Sequence, residues 1–299
     1  MQYFQYLRTT IDIDMKWRNR RVSNNIQDQR SSPARRRGGS KGGISVIVIA
    51  LIAMYFGVDP KIIMTLLDGT SLTQTTNANL PSSNHRPTAE QQQLAQFTGV
   101  VLADTEDAWH PLFEQMGKHY QEPTLVLFTD AVRSACGHAE SAMGPFYCPS
   151  DKKIYIDLGF YKELKNRHNA PGDFAQAYVI AHEVGHHVQN LLGISGQVHQ
   201  AQQAMNKTQA NALSVKLELQ ADCLSGVWAH HTEKAKHVLE KGDIEEALTA
   251  ASAIGDDRLQ KQARGYALPE SFTHGTSEQR IFWFKKGLAN GTIQSCNTL

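Results

Sequence analysis

The sequence predicts an α+β fold in which a small sheet is followed by helices. Three short apolar runs with turn residues around them are typical of strands: Thr124–Thr129, then Phe146–Cys148 and Ile154–Leu158 as a hairpin. From residue 173 onward, apolar residues recur at helical spacing almost throughout. The strands precede the helices instead of alternating with them, and we therefore expect a mostly helical domain with a small antiparallel or mixed sheet.

Composition excludes several classes of protein. Hydrophobic residues make up 41% and charged residues 20% of the 299 residues, which excludes a fully disordered or collagen-like chain. Four cysteines are too few for a disulfide scaffold of this length. The formal net charge of +1 combines two unlike pieces, because residues 1–43 carry ten Lys or Arg against three Asp while the remainder is net acidic.

One uncharged run separates the two pieces, and it predicts a transmembrane anchor at residues 44–58. Residues 42–58 carry no charge and span about 26 Å as a helix, at the short end for a hydrocarbon core of about 30 Å. The positive-inside rule then makes residues 1–43 a basic cytoplasmic tail of a single-pass protein of the bacterial inner membrane, with the folded domain in the periplasm or outside the cell.

Three other interpretations of this region are weighed against the anchor. A buried core helix poorly explains an apolar segment beside a basic tail, and a cleaved signal peptide lacks a nearby cleavage site of small residues. A nucleic-acid-binding arm is disfavoured because Trp17 stands without an interleaved aromatic pattern, so we expect no nucleic-acid partner. Met15 is a plausible translation start, which leaves the status of residues 1–14 open.

Residues 59–87 form a predicted linker rich in Thr, Ser, Asn and Pro, and the domain is expected to cover residues 88–299. Thr88 and Gln91 match a capping box at the start of a first helix. A second helical stretch is predicted over about 104–118, with Pro111 as a kink.

The sharpest motif is the H-E-x-x-H sequence formed by His182, Glu183 and His186. Two histidines four residues apart on a helix project from one face and can ligate one tetrahedral metal ion. Glu183, beside the first ligand, is the expected general base. The alternative is a pair of surface histidines on an amphipathic helix.

A catalytic zinc site needs a third protein ligand, and Glu218 is the candidate. Asp222 lies one helical turn later and is expected to accept a hydrogen bond from a ligand imidazole. The alternative is a solvated acidic pair, which the many apolar neighbours of these residues disfavour.

A further catalytic candidate is His274, just before a helix that a Thr276–Gln279 capping box opens. It could donate to the oxyanion of a tetrahedral intermediate, while Arg280 could hold a nearby acid. A purely structural histidine is the alternative. Four other histidines show no ligand spacing and are given no role: His187, His199, His230 and His231.

The segments HEVGHHVQ, ELQAD and FTHGTSEQR resemble the gluzincin type of zinc peptidase, and more narrowly the bacterial neutral zinc metallopeptidase family, from about Met15 to the C-terminus. The resemblance implies a zincin-like fold, zinc ligation by His182, His186 and Glu218, and Glu183 as general base.

These observations predict a membrane-anchored zinc endopeptidase that acts on peptides or proteins. Zn²⁺ is expected to activate water and polarise the scissile carbonyl, and an extended substrate is expected to add to an edge strand near Ile154–Leu158. The alternative is a catalytically silent, zinc-stabilised scaffold at the membrane. Of three possible disulfide connectivities, Cys136–Cys148 with Cys223–Cys296 is favoured.

Overall fold

A computed structural model describes residues 15–31 and 87–299 of the chain. The predicted anchor at residues 44–58, and all of the predicted linker except its last residue, lie outside the described residues. Within the described ranges, no helix combines the length and the apolar character that a membrane crossing requires.

The described chain is mostly helical with small sheets, which confirms the predicted α+β class. Its strands are β1 (Ile26–Asp28), β2 (Thr124–Phe128), β3 (Ala131–Ser134), β4 (Gly137–Glu140), β5 (Phe146–Cys148) and β6 (Lys153–Asp157). Its helices are α1 (Ala89–Gln115), α2 (Gly159–Asn166), α3 (Asp173–Leu191), α4 (Ile194–Gln202), α5 (Lys207–Lys236), α6 (Asp243–Ala253), α7 (Asp256–Arg264) and α8 (Ser277–Asn290).

Four strands form a mixed sheet in the order β1-β2-β6-β5, and β3 with β4 forms a separate antiparallel hairpin. The β1–β2 and β2–β6 pairs are parallel, whereas β5 and β6 form the predicted antiparallel hairpin. The expectation that a substrate adds to an edge near Ile154–Leu158 is wrong, because β6 is already paired on both sides. The sheet edge on this side is β5.

Helix α1 begins where the sequence predicts, with Thr88 as its cap and a complete capping box with Gln91. It runs as one helix of 27 residues through Pro111, so the predicted division near residue 104 is wrong. The apolar pattern is interrupted there by Asp104 and Glu106, but both side chains are buried and paired within the fold, and the helix continues.

Residues 15–31 differ most from their prediction as part of a separate basic tail. Residues 15–30 belong to the same compact unit as residues 87–299, and β1 pairs with β2 at the edge of the mixed sheet. Met15 and Trp17 are buried in the hydrophobic core. The sequence did not indicate this, since a three-residue strand among many charges carries no hydrophobic period and its pairing partner is about a hundred residues away.

Helix α3 is central to the core, where it packs against α1, α5 and α6. Gly185 on α3 allows the close approach of α5, because a Cβ there would lie 2.9 Å from the Ala221 carbonyl oxygen. The glycine therefore makes room for a neighbouring helix. Both favoured disulfides, Cys136–Cys148 and Cys223–Cys296, are present.

Candidate metal centre

Helix α3 brings the two motif histidines to one face. His182 and His186 are four residues apart, and their Nε2 atoms lie 3.2 Å from each other. Apolar residues before, between and after them (Ile180, Val184 and Val188) are fully buried and fix the helix in the core. The two imidazoles are thereby held on a rigid element at the surface of the core.

Helix α5 supplies the third group, Glu218. Its Oε2 atom lies 3.1 Å from His182 Nε2, and its Oε1 atom lies 3.4 Å from His186 Nε2. The ligand atoms of these three residues all lie within 4.8 Å of one another. The structure thus brings together the three residues predicted as zinc ligands, from two helices packed at Gly185.

Hydrogen bonds fix which nitrogen of each imidazole faces the shared volume. His182 Nδ1 donates to Asp222 Oδ1 at 2.8 Å, and His186 Nδ1 donates to Gln189 Oε1 at 2.9 Å. Both Nε2 lone pairs are therefore available to a cation. Two imidazoles and one carboxylate form a donor set that fits a catalytic Zn²⁺ ion with an open coordination position.

The electrostatics of the cluster also favour a cation. Burial lowers the pKa of His182, but Asp222 and Glu218 outweigh burial and raise that pKa to about 10. Burial raises the pKa of Glu218, but His186 and His182 lower it well below its usual value. The anionic charge that attracts a proton to these imidazoles attracts a metal ion in the same place.

Asp222 is held in a buried network that continues to α8. Arg280 donates from Nε to Asp222 Oδ2 at 2.8 Å and from Nη2 to Oδ1 at 2.9 Å. Burial raises the pKa of Asp222, but Arg280 and His182 lower it to about 2. Asp222 is therefore an anion that orients His182, and it is the acid that Arg280 holds.

Tyr178 and Gln189 complete this network, and neither was predicted from the sequence as part of the site. The Tyr178 hydroxyl donates to Asp222, and Gln189 accepts from His186. Tyr178 precedes His182 by one helical turn and Gln189 follows His186 by three residues, so helical spacing could have indicated both.

Glu183 lies beside His182 and its side chain is largely buried, at 7% exposure. Its charge acts on the metal-binding face, since Glu183 is one of the groups that raise the pKa of His186 against the effect of burial.

His274 is held by an acid that the sequence analysis missed, Asp256 at the start of α7. Asp256 Oδ2 accepts from the backbone nitrogens of Thr273 at 2.7 Å, His274 at 2.6 Å and Gly275 at 3.2 Å. Asp256 Oδ1 lies 3.2 Å from His274 Nδ1. Burial lowers the pKa of His274, but Asp256 and Glu218 raise it above its usual value. The pKa of the half-exposed His274 imidazole therefore depends in part on the charge of Glu218, a candidate metal ligand.

His187 forms hydrogen bonds that hold parts of the fold together. Its Nε2 donates to the Gln121 carbonyl at 2.6 Å, and its Nδ1 accepts from the Tyr147 hydroxyl at 3.0 Å. Asn190 also donates to the Tyr147 hydroxyl, at 2.9 Å. These bonds attach edge strand β5 to helix α3. His230 and His231 bond to backbone carbonyls near the end of α8.

The sequence of this chain is similar to those of several known proteins. The protein called "Uncharacterized protein YpfJ" of Escherichia coli K12 is 49% identical over 292 residues, which cover 95% of this chain and 98% of that protein. "Uncharacterized protein Rv2575" of Mycobacterium tuberculosis H37Rv is 40% identical over 227 residues, covering 72% of this chain and 74% of that protein. No solved structure matches the chain. The family model described as "Putative neutral zinc metallopeptidase" matches residues 15–299, and the chain belongs to that family.

Proposed function

We propose that this protein is a zinc-dependent endopeptidase with a zincin-like catalytic domain. The observation that carries the proposal is the cluster of His182, His186 and Glu218, with Glu183 next to His182 on the same helix. Family membership supports a zinc peptidase. Peptide hydrolysis is the reaction for which an H-E-x-x-H helix with a third acidic ligand is suited.

Each residue of the centre has a chemical task. His182, His186 and Glu218 hold the zinc ion, which when bound supplies a Lewis acid for water and for the scissile carbonyl. Glu183 takes a proton from the attacking water and returns it to the leaving amine. His274, kept in place by Asp256, donates a hydrogen bond to the oxyanion of the tetrahedral intermediate.

The substrate we propose is an extended peptide that pairs with edge strand β5. Tyr147 on this strand is bonded to His187 and Asn190, which neighbour the metal ligand His186 on α3. A strand edge fixed beside the catalytic helix can hold a peptide backbone in register with the metal centre.

We place the catalytic domain outside the cytoplasm, and the support is its two disulfides. Such bonds persist in oxidising compartments and are rare in cytosolic proteins. Contact of residues 44–58 with a membrane stays a prediction, because these residues lie outside the described ranges.

The alternative, a catalytically silent scaffold, is disfavoured by Glu183. Within the described part of the chain, its buried side chain has no hydrogen bond to another group. A scaffold that uses zinc only for stability has no need of an acid beside the ligand His182.

Replacing Glu183 with Gln tests the proposal in the full chain. We expect Glu183→Gln to keep its zinc content and to hydrolyse a peptide about 10²–10⁴-fold more slowly, because the general base is lost while the ligands remain. The matched control is Glu278→Gln, an exposed acid on α8. Undiminished hydrolysis by Glu183→Gln would exclude this residue as the base.

A further inference from the structure

The N-terminal segment, residues 15–30, is anchored to the domain by apolar burial. Met15 is 1% exposed and Trp17 is 6% exposed. The Trp17 ring packs edge-on against Phe97 of α1, with ring centroids 5.6 Å apart. Burying side chains of this size contributes about 1.5–3 kcal/mol each, so the segment is held as part of the core.

Backbone bonds continue this attachment along the segment. β1 pairs with β2 in the register Ile26 to Leu125 through Asp28 to Leu127. The pairing extends past both ends of β1, since Leu125 donates to the Asn25 carbonyl and Gln29 donates to the Leu127 carbonyl, both at 2.8 Å. The segment therefore supplies one of the four strands of the mixed sheet.

Two arginines of the segment pair with buried acids of helix α1. Glu106 on α1 is 1% exposed and accepts from three groups of the segment: Arg21 Nη1 at 2.7 Å, Asn25 Nδ2 at 2.9 Å and the Ser23 hydroxyl. Arg20 pairs with Asp104, another buried acid of α1. Charges that the positive-inside rule counted as orientation signals are thus partners of buried carboxylates.

Gly99 shows that α1 is shaped for the segment. A Cβ at this position would lie 2.6 Å from Val22 Cγ1 and 2.9 Å from Ile26 Cδ1. A glycine inside a helix costs about 1 kcal/mol relative to alanine, and here its effect is to admit the segment against the helix.

From this docking we infer that residues 15–30 and residues 87–299 lie on the same side of any membrane that the protein is attached to. Strands bonded in one sheet cannot be separated by a hydrocarbon core of about 30 Å. A single crossing between residues 31 and 87 would separate them. A cytoplasmic tail with a domain on the far side is therefore incompatible with the fold, and the segment shares the compartment of the two disulfides.

Single cysteines in the full chain, expressed in bacterial cells, test this inference without reference to hydrolysis. Asn24→Cys labels the segment and Lys118→Cys labels the domain, and both positions are exposed. A membrane-impermeant maleimide is applied to intact cells and, in parallel, to lysed cells. We expect both variants to react in intact cells as fully as after lysis.

The unsubstituted chain is the control for labelling of the disulfide cysteines. Protection of both positions in intact cells would still place the segment with the domain, but it would contradict their location outside the cytoplasm. Labelling of Lys118→Cys with protection of Asn24→Cys would overturn the inference, because the segment and the domain would then lie on opposite sides.

Discussion

Two buried carboxylates, each paired with an arginine, hold different parts of this molecule. At the metal centre, Asp222 is completely buried and its partner Arg280 is 2% exposed. Where the N-terminal segment docks, the side chain of Glu106 is 2% exposed, but the side chain of its partner Arg21 is 49% exposed. The first pair is removed from water on both sides, whereas the second is removed on one side only.

The difference in solvent exposure suits the two ion pairs to different roles. Removing one partner of a fully desolvated ion pair strongly destabilises the fold, because the other charge stays buried without compensation. Such a pair therefore holds the residues around it in one arrangement. Asp222 uses that rigidity to orient His182. A half-solvated pair is screened by water and contributes less, which suits the attachment of Arg21 and its segment to α1.

Loss of Arg280 tests the stronger pair. We expect Arg280→Met to lower the free energy of unfolding by about 3–5 kcal/mol, because Asp222 stays buried without its cation. Urea unfolding with a chelator present measures this without a contribution from zinc. The control is Lys285→Met on the exposed face of α8. A change in Arg280→Met no larger than in this control would contradict the role given to the pair.

Loss of the Glu106 charge tests the weaker pair. We expect Glu106→Gln to lower the free energy of unfolding by about 1–3 kcal/mol, because donors on Arg21, Ser23 and Asn25 lose a charged acceptor. Zinc content should stay unchanged. Glu114→Gln, an exposed acid on the same helix, is the control. A larger loss of unfolding free energy in Glu106→Gln than in Arg280→Met would contradict the expected order of the two pairs.

The sequence predicts the metal centre better than the docking of the segment, for a physical reason. His182, Glu183 and His186 lie within one helical turn, and Glu218 with Asp222 within another, so local spacing reveals each group. The capping boxes at Thr88 and Thr276 are equally local.

The features that could not be predicted from the sequence depend on contacts between residues that are far apart along the chain. The pairing of β1 with β2 joins residues about a hundred positions apart, and Asp256 reaches His274 across 18 residues. Neither leaves a periodic pattern. The edge position of β5 likewise follows from strand order, which one sequence does not reveal.

The central claim is that His182, His186 and Glu218 hold one zinc ion, and metal analysis of the purified full chain tests it most directly. We predict one zinc ion per chain in the wild type, its loss in Glu218→Ala, and its retention in Glu233→Ala, a variant of another acid on α5. Zinc bound equally by Glu218→Ala and the wild type would contradict the claim.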